Sequence, residues 1–137
     1  MKPLYIEHIG IAVSDLEKSV EQFEKILGVR CYKTEEVHDQ RVRTAFFMVD
    51  RTKIELLETT DPDGPVGRFI GKKGEGLHHI ALAVDDVDAS LKSAEENGLR
   101  LIDASPRKGA DGLEIAFMHP SSASGVLVEF CGKKKNS

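Results

Sequence analysis

The chain has 137 residues, 40% of them apolar and 31% charged, enough for one domain with a packed core and too short for two ordinary ones. Its formal charge of −4 argues against a nucleic-acid partner, because phosphate binding shows as a basic excess. No apolar stretch reaches the length of a membrane span and the opening MKPLYIEHIG lacks a signal-peptide core, so no membrane partner and a cytoplasmic location are expected. Cys31 and Cys131 have no spacing that suggests a disulfide framework or a zinc knuckle, and read as reduced, packed thiols. The basic run GKKKNS at 132–137 reads as a solvated tail.

In chain order, EHIGIAV predicts a strand by its alternation. A helix follows, with Ser14 and Glu17 as a capping-box pair, an apolar face of Leu16, Val20, Phe23, Ile26 and Leu27, and Gly28 as its C-terminal cap. Strand-like runs come next at 29–37, 43–50 and 53–59. DPDGPVGRFIGKKGEG, 61–76, reads as a connector with a short helix around 65–71. The pattern then returns: a strand at HHIALAV, a helix capped by Asp85 with Val87, Leu91 and Ala94 on its apolar face and Gly98 at its end, and runs at 99–103, 113–119 and 125–131.

The return is a repeat. Shifted by 71 positions, residues 7–24 fall on 78–95 with seven identities in eighteen. The order is βαβββ twice, an α+β domain over 1–137 made of tandem modules 1–60 and 77–131.

Strand alternation sorts the histidines. Ile9, Ile11 and Val13 share one face with their counterparts Ile80, Leu82 and Val84, the bulky face that a sheet turns to its helices. His8, Gly10 and Ala12 share the other, as do His79, Ala81 and Ala83, where small residues leave room. His78 points the opposite way. The last strand of each copy adds a carboxylate between apolar neighbours, Glu55 in KIELLET and Glu129 in GVLVEFC. An acid in such a strand is expensive to bury unless paired or bound to a cation. His8 to Glu55 spans 47 residues and His79 to Glu129 spans 50, so the set His, Glu, His, Glu repeats with the fold. Two imidazoles and two carboxylates suit one divalent first-row ion with open positions for substrate.

HIGIAVSDLEKSV (8–20), KIELLE (53–58), FIGKKGEGLHHIALAVDDV (69–87) and FMHPSSASGVLVEF (117–130) resemble the vicinal-oxygen-chelate, or glyoxalase, superfamily over nearly the whole chain, and within it the methylmalonyl-CoA epimerase family. The resemblance implies an eight-stranded open, barrel-like cup and a homodimer. It also implies an isomerase of propionate metabolism that interconverts the 2R and 2S forms of a CoA thioester. It places the metal on His8, Glu55, His79 and Glu129, with Co, Mn, Ni or Zn each chemically plausible. Glu129 is the first choice for the acid–base group and Glu55 is open to either role, ligand or base. Some family members carry Gln at the Glu55 position, and a second carboxylate lowers the charge of the site by one. The family's second acidic residue aligns with Thr44, which cannot serve as a base near neutral pH; the stretch 34–40 holds other acids, in a setting that reads as solvent-facing.

Arg43, Arg68, Lys72, Lys73, Arg107 and Lys108 are available for the CoA phosphates and the sequence does not rank them. His119, before Pro120, reads as a turn residue and His38 as a surface one. The rival activity is that of glyoxalase I, which resembles the chain in the same four residues. A metal-dependent ring-cleaving dioxygenase fits less well, and a non-catalytic small-molecule binder of the superfamily would lack the metal set.

Overall fold

The computed structural model describes residues 2–134; Met1 and the last three residues of the basic tail lie outside the described part. Contacts divide the chain into two compact units, one formed by residues 8–78 and the other by residues 1–7 with 79–137.

The first unit is built from β1 (Tyr5–Ala12, of which His8 onward belongs here), α1 (Leu16–Leu27), β2 (Lys33–Val37), β3 (Val42–Val49), β4 (Thr52–Thr59) and α2 (Pro65–Lys73). Its strands lie in the order β2-β3-β4-β1, antiparallel except for β1 beside β4. Leu16, Val20, Phe23 and Leu27 recur at helical spacing and pack on Ile11, Ala45, Phe47, Ile54 and Leu56. Ile26 falls off that stripe and is 69% exposed, which removes it from the expected apolar face.

The second unit holds β5 (Gly76–Ala83, from His79 onward), α3 (Val87–Glu96), β6 (Arg107–Lys108), β7 (Glu114–Met118) and β8 (Val128–Gly132). Its strand order, β5-β8-β7-β6, repeats the first unit's scheme with β5 parallel to β8. Val87, Leu91 and Ala94 pack on Leu82, Ala116, Met118 and Phe130. The chain is thus α+β, with βαβββ realised twice and eight strands among the described residues. No described helix is long and apolar enough to cross a membrane.

Both helix starts differ from expectation by one residue. Asp15, not Ser14, caps α1 by accepting from the Lys18 N–H at 3.1 Å, while the Ser14 N–H is taken by the Glu75 carboxylate at 2.8 Å. Asp86, not Asp85, caps α3 through the Ala89 N–H at 3.1 Å. The two caps are equivalent, 71 positions apart, so the repeat extends to the capping chemistry. Gly28 takes the left-handed conformation at φ 70° that closes α1.

Three strands are shorter than expected: the run 125–131 is paired only from Val128, because the Gly125 and Val126 N–H groups bond the preceding turn. Residues 29–32 stay outside β2 because the Cys31 N–H is spent on the Glu24 carboxylate at 3.1 Å, a partner on the preceding helix. The run 99–103 forms only a single bridge, Leu101 with Met118. Ile102 and Asp103 both donate to the Phe117 carbonyl, at 2.9 and 3.2 Å, and the Phe117 N–H goes to the Asp103 carboxylate at 2.8 Å. A side chain has taken the place of a ladder bond, and the paired strand begins at Arg107 instead.

In α2, Gly67 is where the helix meets the preceding turn. A Cβ there would come within 2.5 Å of the Asp61 carbonyl oxygen and 2.6 Å of that of Pro62, both backbone atoms. Around Gly71 in the same helix nothing lies within 4 Å. Gly67→Ala is therefore expected to cost about 1–3 kcal/mol through overpacking, whereas Gly71→Ala gains about 0.5–1 kcal/mol of helix propensity. Urea midpoints of the two variants should move in opposite directions.

Candidate active site

Each unit buries a histidine against a glutamate by the same construction. In the first, β1 and β4 run parallel with Gly10 beside Glu55, and His8 stands two residues before Gly10 on the same face. His8 Nδ1 lies 3.3 Å from Glu55 Oε2. In the second, Ala81 sits beside Glu129 and His79 two residues before Ala81; His79 Nε2 lies 3.3 Å from Glu129 Oε1. A glycine or alanine at the registered position leaves space for the carboxylate to lean toward the imidazole. All four residues are at most 5% exposed. A carboxylate buried this deeply is tolerated only with compensating charge or hydrogen bonds.

The surrounding face is defined by register. In the first unit, β4 presents Lys53, Glu55 and Leu57 on the His8 side, and β3 pairs Phe46 with Glu55 and Thr44 with Leu57. Thr44 is 1% exposed, and its hydroxyl lies buried within the sheet face that carries Glu55. In the second unit, Phe117 stands edge-on to His79 with ring centroids 5.7 Å apart, and the Arg107 guanidinium lies over Phe117 at 5.4 Å. Arg107 is thereby the one basic residue of the six candidates that the structure brings to the His79 face among the described contacts.

Arg43 is committed elsewhere. It bonds Glu17 at 2.9 Å and Glu58 at 3.2 Å on the α1 side of the sheet. The hydrogen bond from Arg43 holds the Glu17 carboxyl below its ordinary range, and Glu17 in turn raises the guanidinium. Glu58 also accepts the Leu16 N–H at 2.8 Å. The acidic set Asp15, Glu17 and Glu58 at the start of α1 is thus engaged in capping and with Arg43.

His78 is not part of the pair construction. It packs edge-on against Phe69 of α2 at 4.9 Å, with rings at 78°. Burial pushes its pKa down to about 4. His119 Nδ1 accepts the Ser121 N–H at 3.0 Å and so caps a turn. His38 is exposed, 3.2 Å from Glu36.

The expectation that residues 34–40 face solvent is corrected at two positions. β2 pairs with β3 as Lys33 with Phe46, Glu35 with Thr44 and Val37 with Val42. Facing residues of an antiparallel pair share a side, so Glu35 lies on the Glu55 face, and Val37 is 6% exposed. Lys33 Nζ is 4.6 Å from the Phe46 ring centroid, which marks the same side. KTEEV carries polar residues on both faces, so alternation does not mark the side of Glu35, and pairing with β3 does.

Residues 7–117 match the Glyoxalase/Bleomycin resistance protein/Dioxygenase superfamily. The chain is 34% identical to the ethylmalonyl-CoA/methylmalonyl-CoA epimerase of Cereibacter sphaeroides, over 90% of this chain and 94% of that one. It is 41% identical to the uncharacterized protein YqjC of Bacillus subtilis, over 94% and 92%. A structure of a variant Streptomyces coelicolor methylmalonyl-CoA epimerase in complex with 2-nitronate-propionyl-CoA superposes with a TM-score of 0.93 at 36% identity, covering 96% of both chains. The chain belongs to the glyoxalase/bleomycin resistance protein/dioxygenase superfamily and, within it, to the methylmalonyl-CoA epimerase family of isomerases.

The half-buried His78 carries a pH signature. Its folded pKa of about 4 lies below the ordinary 6.5, so between those values the unfolded chain binds a proton that the folded chain does not. The stabilisation is complete above 6.5 and is lost as pH falls toward 4. His78→Phe removes this component, and its urea midpoint should fall less than that of the parent between about pH 7 and about pH 5. Equal pH slopes for the two proteins would mean that His78 titrates normally.

Proposed function

We propose that the protein interconverts the 2R and 2S forms of methylmalonyl-CoA, with His8, Glu55, His79 and Glu129 holding one divalent ion. The observation that carries the reading is the recurrence of a buried imidazole–carboxylate pair, 3.3 Å apart, at equivalent positions of the two units. The crystallised Streptomyces relative, solved with a CoA thioester analogue, supports the substrate class.

The donor set fits the ion. Neutral imidazoles and carboxylates suit a borderline first-row metal such as Co, Mn, Ni or Zn, and two carboxylates balance a dipositive charge. When bound, the ion supplies positive charge where the thioester oxygen becomes negative as the C2 proton leaves.

The chain's own residues do the rest. Glu129 takes the proton from C2, its carboxylate oriented by His79. Glu55, with a side chain 4% exposed and held at His8, acts as a ligand rather than a base. Gly10 in the first unit and Ala81 in the second keep the position beside each glutamate free of a bulky side chain. Arg107 offers its guanidinium to an anionic group of the substrate.

Exchange of the C2 hydrogen in deuterated solvent tests the reading. It should be abolished by chelator and restored by divalent metal. His79→Ala should lose bound metal by elemental analysis and lower exchange by at least about 100-fold, whereas His78→Ala keeps its metal. Equal metal loss in both variants would overturn the strand register, and exchange indifferent to chelator would overturn the metal role. Turnover of a glutathione hemithioacetal in preference to methylmalonyl-CoA would replace the epimerase reading with that of a glyoxalase.

A further inference from the structure

Epimerisation needs an acid–base group on each side of the planar enolate, and Thr44 stands where the second carboxylate is expected. A threonine hydroxyl ionises far above neutral pH and cannot fill that role. The register of the first unit shows what can. Glu35 of β2 lies directly opposite Thr44 of β3, and Thr44 directly opposite Leu57 of β4. Phe46, one row away, links Lys33 on β2 to Glu55 on β4 in the same manner. The rows Lys33–Phe46–Glu55 and Glu35–Thr44–Leu57 therefore run side by side on the face that carries His8.

We propose that Glu35 is the second acid–base residue, delivering from the neighbouring strand the carboxylate that position 44 lacks. The assignment rests on the epimerase reading above. Cβ atoms of facing residues are about 5 Å apart, so a glutamate at 35 can lean over a threonine at 44.

Lys33 and access to solvent complete the case. Lys33 Nζ is 3.4 Å from Glu35 Oε1 and 4.6 Å from the Phe46 ring centroid, which directs the carboxylate along the sheet face. The Glu35 side chain is 34% exposed, so its carboxyl can trade protons with water directly.

The step balances. Glu129 as carboxylate removes the C2 proton, and the electron pair of the broken C–H bond passes into the enolate. Glu35 as carboxylic acid gives its proton to the opposite side of C2, where a new C–H bond forms. Glu129 ends protonated and Glu35 ionised, and exchange with solvent resets both. The reverse reaction exchanges the roles.

Single-epimer substrates in deuterated solvent separate the two bases. Glu35→Gln should lower epimerisation by at least about 100-fold while deuterium still enters at C2 of the epimer whose hydrogen faces Glu129, with bound metal and thermal midpoint unchanged. Adding Thr44→Glu to that variant should restore epimerisation, because the carboxylate returns to the same side of the sheet. Glu36→Gln, on the opposite side and paired with the exposed His38, serves as the unaffected control. Epimerisation by Glu35→Gln within twofold of the parent, or equal loss of exchange from both epimers, overturns the assignment while leaving the epimerase reading intact. A parent protein that neither epimerises nor exchanges overturns both.

Discussion

A carboxylate inside an apolar strand is the constraint around which each unit is arranged. Glu55 lies between Ile54 and Leu56, and Glu129 between Val128 and Phe130, with the apolar neighbours turned toward the helices. Placing an ionised carboxyl in that position without compensation costs several kcal/mol. The compensation is an imidazole brought into contact by parallel pairing of the first and last strands, with a small residue at the registered position. A one-residue slip of register would send the glutamate to the helix side and the isoleucine to the histidine. The apolar packing of α1 on β3 and β4 and the polar pairing on the other face therefore enforce the same register.

That dependence explains why so much of the site was legible from the residues alone. Alternation assigns a face to every strand residue without knowledge of the tertiary structure, and a tandem repeat supplies two independent readings of the same arrangement. His8, Glu55, His79 and Glu129 emerged because each is an anomaly by local standards, a polar group in an apolar run, and because the anomaly occurs twice. The helix faces were legible for the same reason, from Leu16 to Phe23 and from Val87 to Ala94.

What stayed hidden is governed by single hydrogen bonds rather than by periodicity. Ser14 and Asp85 are chemically acceptable N-caps, and only the position of the Lys18 and Ala89 N–H groups selects Asp15 and Asp86. The run 99–103 has a strand's composition, yet Asp103 captures the Phe117 N–H that a strand would have used. Glu35 was obscured differently. Its strand lies at the sheet edge and carries charge on both sides, so alternation of polarity vanishes and only pairing with β3 reveals its face. Arg107 likewise enters through a ring contact that no spacing encodes.

The two units are thus alike in their buried pairs and in what flanks them, an aromatic ring opposite each glutamate with a cation over it: Phe46 and Lys33 in the first, Phe117 and Arg107 in the second. Each cation has a carboxylate partner, Glu35 at 3.4 Å from Lys33 Nζ and Asp103 at 3.3 Å from Arg107 Nε; the Glu35 side chain is 34% exposed and that of Asp103 16%. Duplication alone would produce two equivalent halves. Chemistry at a stereogenic carbon requires more than symmetry, since the two sides of the enolate meet different substituents on the rest of the substrate. The two halves do differ two residues before each ring, where Thr44 faces Glu35 in the first unit and Ile115 faces Arg107 in the second.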